Sequence, residues 1–130
     1  MKTQLTVNYE NKPAYQIQLR SDFKDLPQAL FDLDLKGRKL MIISDSNVAR
    51  YHLNEVAELV REVSALTYTF VFPAGEANKN LDTVNQCYEE LIISGFDRND
   101  VLIALGGGVV GDLTGFVAAT YLRGIQFIQV

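Results

Sequence analysis

At 130 residues, with 48% apolar and 22% charged side chains, the chain has the make-up of one folded domain able to bury a core. Its net charge of −4 and the scatter of its 12 Lys and Arg residues exclude the basic footprint of a nucleic-acid binder. A single cysteine, Cys87, excludes an internal disulfide and a cysteine-based zinc site, and with no signal-peptide pattern at Met1 the expected setting is cytoplasmic.

Residues 3–7 and 15–19 alternate polar and apolar side chains about a turn-rich connection at 8–13, which predicts a β-hairpin. Asp22 then offers a cap for a short amphipathic helix carrying Phe23, Leu26, Leu30 and Phe31, closed by Lys36, Gly37 and Arg38. A different pattern follows. Apolar runs at 40–43, 66–72, 101–105 and 125–130 read as strands, each separated from the next by a helical segment. Segment 51–63 lines up Leu53, Val56, Ala57, Val60 and Val63 on one side; segment 80–94 does so with Leu81, Val84, Tyr88, Leu91 and Ile92, and Gly95 is its C-cap. Cys87 falls on that apolar face and reads as an inert core thiol. The only histidine, His52, reads with Tyr51 as a helix start, and one histidine is too few for a multi-histidine metal site. Strands alternating with helices predict an α/β fold. Its Rossmann-like parallel sheet has flanking helices and right-handed crossovers, and an antiparallel hairpin precedes it; residues 1–130 form one domain.

The stretch from Leu102 to Tyr121 carries only one charge, Asp112, yet three glycines break it, so it predicts a buried strand, a tight turn and a buried helix rather than a membrane span. Amides at the start of such a helix are unpaired, the helix dipole favours an anion, and glycines admit a phosphate close to the backbone. Gly106, Gly108 and Gly111 fit the G-x-G-x-x-G spacing, but the acidic residue expected about 20 positions later is missing. A phosphate loop of the NTPase type would continue with Lys and Ser or Thr, where this chain has Asp112 and Leu113. The plainer reading is that the glycines serve the turn and close helix packing, with Gly111 and Gly115 admitting another backbone.

Ligand sites in open parallel sheets lie beyond the carboxyl ends of the strands, which selects three stretches: 44–47, 73–79 and the glycines. Asp45 or Glu76 could accept hydrogen bonds from ribose hydroxyls, and Lys79 could balance phosphate charge. Equally, Asp45 could cap the next helix, Asn78 or Asn80 another, and Glu76 with Lys79 could be a solvated pair. Asp112, placed in the first turn of the glycine helix, is stabilised there by the dipole whether or not it binds a ligand.

Four stretches, ISDSN at 43–47, PAGEANK at 73–79, ALGGGVVGD at 104–112 and ATYLRG at 119–124, agree in order and spacing with the 3-dehydroquinate synthases, and over essentially its whole length the chain resembles their amino-terminal NAD-binding domain. That resemblance implies a lyase of the shikimate route to aromatic amino acids. It converts 3-deoxy-arabino-heptulosonate 7-phosphate to 3-dehydroquinate and phosphate, using NAD that is reduced and regenerated in each turnover and a divalent metal, zinc or cobalt. By position, the resemblance puts Asp45, Asn47, Gly75, Glu76, Lys79, Gly106, Gly107, Gly108, Val109, Val110, Gly111, Asp112 and Thr120 on NAD. It puts Arg123 on the anionic end of the sugar-phosphate substrate, across the interface of a homodimer. The family's metal ligands and substrate-binding lysines belong to a following helical domain, so the resemblance implies no catalytic or metal-ligating residue here and no synthase activity for these residues alone. Other sugar-phosphate cyclases and the glycerol and iron-type alcohol dehydrogenases share the glycine loop. A rival of another class is a dinucleotide-binding module without catalysis, with no partner in nucleic acid or membrane.

Overall fold

The computed structural model describes residues 3–35 and 37–130. Strands β1 (Thr3–Tyr9) and β2 (Lys12–Leu19) form the predicted hairpin, paired antiparallel with Leu5 opposite Ile17 and Val7 opposite Tyr15. The strands run further than the predicted pair. The turn is confined to Glu10 and Asn11, both at positive φ, the left-handed pair whose twist matches that of the flanking strands. Pro13 sits inside β2 beside a register shift, at a hairpin edge where a missing N–H is tolerated.

Helix α1 (Leu26–Asp32) starts later than the predicted cap, because the Asp22 carboxylate instead accepts the Lys24 N–H in a local turn and Pro27, the second helical residue, holds a helical φ in the first turn. The main body then alternates β3 (Lys39–Asp45), α2 (Ser46–Arg61), β4 (Leu66–Phe72), α3 (Leu81–Ile93), β5 (Val101–Leu105), α4 (Gly108–Thr120) and β6 (Gln126–Gln129). Helix α2 begins directly after Asp45, so His52 and Tyr51 lie within the helix and do not start it. Ser44 and Asp45 are strand, and Ser46 and Asn47 are the first turn of α2. The C-cap of α3 is Ser94 and not Gly95 as predicted; Gly95, at φ 72, comes one residue later, in the left-handed conformation that closes such a helix.

The four strands are parallel in the order β4-β3-β5-β6. Both sheet faces are covered, which is why β3 and β5 are apolar without alternation. Leu40, Ile42, Val101, Ile103 and Leu105 pack on α1 and α2, through Leu30, Val56, Ala57 and Val60. Met41, Ile43, Leu102 and Ala104 pack on α3 and α4, through Val84, Cys87, Leu91, Val110, Leu113 and Val117. The chain moves outward from β3 to β4, then back across β3 to β5, and the helices change face at that reversal, as right-handed crossovers require. Helix α4 buries Val110, Leu113, Thr114, Val117 and Ala118 but leaves Asp112, Phe116 and Ala119 exposed, so it is covered on one side and not all round. Gly111 and Gly115 face side chains of β6, Gln129 and Phe127, and not another backbone.

Candidate functional site

The reversal of strand order falls between β3 and β5, and the crevice beyond the strand ends at such a reversal is where open parallel sheets bind ligands. Asp45 is in register with Phe72, and Ser44 with Leu105, so the ends of β3, β4 and β5 come out at one edge. Hydroxyls tie the three loops together there. Ser44 Oγ donates to the Leu105 carbonyl at 2.7 Å, and Ser46 Oγ accepts the Ala74 N–H at 2.9 Å. Neither serine stands out in the sequence, since each reaches a partner far along the chain.

The three glycines of the loop do different things. Gly106 is demanded by the fold: its φ is +150° and a Cβ would stand 2.8 Å from Val110 Cγ2. Gly107 and Gly108 are not. Neither has a positive φ, and a Cβ on either would meet nothing within 4 Å. Gly107 is the N-cap of α4 without a side-chain cap bond, so no side chain covers the first amides of that helix. Bare backbone beside open space, at the positive end of a helix, is a cradle that a β-carbon would fill and an anion fits. Gly111 is outside this cradle, because its N–H already donates to the Gly107 carbonyl at 2.9 Å. Val110 is buried in the core and Val109 packs against it, so each can offer a ligand only its backbone.

Asp45, the last residue of β3, caps α2, its Oδ1 accepting the Val48 N–H at 2.8 Å. Asn47 is exposed in the first turn of α2. Gly75, at φ 116, turns the chain into a 3-10 turn at Glu76–Asn78, and Asn80 caps α3 by accepting the Thr83 N–H. Lys79 Nζ stands between two carboxylates, 2.9 Å from Asp112 Oδ2 and 3.5 Å from Glu76 Oε1. The hydrogen bond and charge of Asp112, and then Glu76, raise the Lys79 pKa above its ordinary value, so it is a cation in the physiological range. Asp112 lies in the second turn of α4, not the first as predicted, and its partner is Lys79 rather than the helix dipole. A groove of about 280 Å³ runs from Lys79 and Asn80 along Leu113 to Phe116.

Two predicted residues are not gathered here. Thr120 ends α4, roughly 18 Å from the cradle at 1.5 Å per residue, and bonds to Tyr88 and the Phe116 carbonyl. Arg123 lies beyond it at φ 68, after Leu122 at φ 48, and with Arg98 and Asn99 lines a cavity of about 550 Å³ at the opposite edge of the sheet. Among the described residues, no three His, Cys, Asp or Glu side chains gather as a metal-ligating set. Nor is any described helix long and apolar enough to cross a membrane.

The chain is similar to known proteins over this whole architecture. The 3-dehydroquinate synthase N-terminal family matches residues 69–130. A 3-dehydroquinate synthase of Streptococcus suis (strain 05ZYH33) is 47% identical over 126 residues, which are 97% of this chain and 35% of the relative. That of Acetivibrio thermocellus is 42% identical over 126 residues, 97% of this chain and 34% of the relative. Among solved structures, a 2-deoxy-scyllo-inosose synthase complexed with carbaglucose-6-phosphate, NAD+ and Co2+ superposes with a TM-score of 0.80 at 24% identity, covering 100% of this chain and 34% of that one. That likeness bears on the fold. The chain spans about a third of the length of the curated relatives it matches.

Proposed function

Because the chain is a homologue of the amino-terminal part of the 3-dehydroquinate synthases, we propose that residues 1–130 are the NAD-binding domain of such an enzyme, acting in the cytoplasm on 3-deoxy-arabino-heptulosonate 7-phosphate. The observation that carries this reading is the pair Gly107 and Gly108, glycines that the fold does not need, lying open at the strand-order reversal with Lys79 close by. NAD held there would supply the hydride acceptor for the reaction.

The chain's own part is to hold the dinucleotide. The amides of Gly107, Gly108 and Val109 receive the pyrophosphate. Lys79, now shared between Glu76 and Asp112, turns part of its charge to a phosphate oxygen, and the carboxylates of Glu76 and Asp45 Oδ2 take ribose hydroxyls. Asn47 and Gly75 border the same crevice. Asp112 stands where a triphosphate-binding loop would place lysine, and its charge disfavours ATP.

Arg123 lines the cavity at the far edge with Asp97, Arg98 and Asn99, so in our reading it serves the substrate of a second subunit in a homodimer. Thr120, held near it, then takes no part in NAD binding within the same chain. Among the described residues, no set of side chains makes a site for zinc or cobalt. By this reading the metal ligands lie outside the 130 residues, which alone release no phosphate from the substrate. The test is a graft of this chain in place of the matching 126 residues of the S. suis synthase. Phosphate release with NAD and zinc or cobalt is the expected result. A folded graft that binds NAD without turnover, or turnover by this chain alone, would overturn it.

A further inference from the structure

We propose that Tyr121 is a positioning residue for Arg123, holding the strained turn on which that arginine is presented; this rests on the reading that Arg123 serves the substrate. Helix α4 ends at Thr120, and the chain then places Leu122 at φ 48 and Arg123 at φ 68, two successive residues in the left-handed region that side chains disfavour. Such strain costs free energy and persists only where the surroundings fix it. Here both ends are fixed. Tyr121 is 7% and Ile125 9% exposed, and both belong to the core that α3 and α4 share with the sheet. The Gly124 N–H donates to the Tyr121 carbonyl at 2.8 Å and the Ile125 N–H to the Ala118 carbonyl at 2.7 Å, which closes the turn back onto the helix.

The fold gains little from the strained pair itself. Leu122 is 46% exposed and Arg123 is exposed, and among the described residues no hydrogen bond or ion pair engages the Arg123 side chain. A plain connection from α4 to β6 is met at less cost by glycine, which the chain uses next, at Gly124 with φ 112. Tyr121 supplies a strut across the cavity beside it. Asp97, Arg98 and Asn99 form one wall and Leu122 and Arg123 the other. Phe96 stands directly before the first wall and Tyr121 directly before the second, and the Tyr121 hydroxyl donates to the Phe96 carbonyl at 2.9 Å. The Tyr121 ring also stacks on that of Tyr88, centroids 6.3 Å apart, and the Tyr88 hydroxyl pairs with that of Thr120. Ring, hydroxyl and backbone thus hold the residue before the strained pair. An arginine carried on a fixed base has less backbone freedom to lose when it meets an anion.

Steady-state kinetics of the S. suis graft test this. Tyr121→Phe keeps the ring and removes the hydroxyl, and should raise KM for 3-deoxy-arabino-heptulosonate 7-phosphate about tenfold, the most that one hydrogen bond accounts for, while KM for NAD holds. Arg123→Ala should raise it further. Adding Tyr121→Phe to Arg123→Ala should then change nothing more, since a positioning residue acts only through the residue it positions. Additive losses, which a merely structural role gives, would overturn the proposal, as would an unchanged KM in Tyr121→Phe beside a raised one in Arg123→Ala. Parental KM in Arg123→Ala would instead sink the substrate role of Arg123, and the proposal with it. A second readout needs no turnover: the amide to α-proton couplings of Leu122 and Arg123 in the chain itself should report left-handed backbone in the parent and conformational averaging in Tyr121→Phe. A turn that stays left-handed in that variant would overturn the proposal whatever the graft does.

Discussion

The two edges of the parallel sheet are built from the same kinds of residue and do opposite things with them. At the amino edge, Asp100 is buried and fully engaged: Oδ1 accepts the Lys39 N–H at 2.9 Å, and Oδ2 accepts the Asp97 N–H at 2.9 Å and faces Lys39 Nζ at 3.4 Å. Tyr121 closes the same edge by donating its hydroxyl to the Phe96 carbonyl, and burial raises its pKa. At the carboxyl edge the acidic groups Glu76 and Asp112 are exposed, share one lysine, and flank helix amides that no side chain caps. One edge satisfies its polar groups internally and so holds the fold. The other leaves them turned outward, exposed to solvent.

Breaking the first edge should cost the most stability. Asp100→Ala strands two backbone N–H groups and removes the carboxylate beside Lys39, and should lower unfolding free energy by about 3 kcal/mol in urea titrations. Gly106→Ala combines an unfavourable φ with a contact at 2.8 Å that Val110 must relieve, and should cost about 2 kcal/mol by the same measurement. Cys87 reports on that loss. Desolvation, helped by the charge of Glu90, pushes its thiol up to about 12, so maleimide at pH 8 should label it only as fast as the chain opens, and faster in both variants.

Lys79→Met probes the second edge and should have the smallest effect on stability, since its ion pairs are exposed. Its pH dependence has a definite sign. The pKa of Lys79 is raised in the folded chain, so its contribution is fully present below the unfolded value of 10.5 and is lost as pH climbs through the raised one. The difference between parent and variant midpoints should therefore be flat up to that pH and shrink above it.

Much of this division is legible in the sequence, and the exceptions have physical reasons. Among the described residues, periodicity places the strands and the amphipathic helices, and in the main body it does so because each element buries a face and must repeat accordingly. It misplaces the start of α2, since polar Ser46 and Asn47 look like loop when they are a capped first turn. The sequence selects Asp45, Glu76, Lys79 and the glycines by their position after apolar runs, and the crevice gathers them. It cannot tell that Gly106 serves the fold while Gly107 and Gly108 do not, because that depends on where Val110 lies. Nor does local pattern reveal that Thr120 and Arg123 end at the far edge, since that follows from the length of α4.

The central claim, that the open glycines are a dinucleotide cradle and not a structural turn, is tested most directly by calorimetric titration of NAD into the chain and into Gly108→Val. Gly108 has open space for a side chain, so its replacement should leave the urea midpoint nearly unchanged. NAD affinity should fall at least tenfold, about 1.4 kcal/mol, and the unaltered chain should bind ATP more weakly than NAD. Equal NAD affinity for the folded variant and its parent would contradict the account.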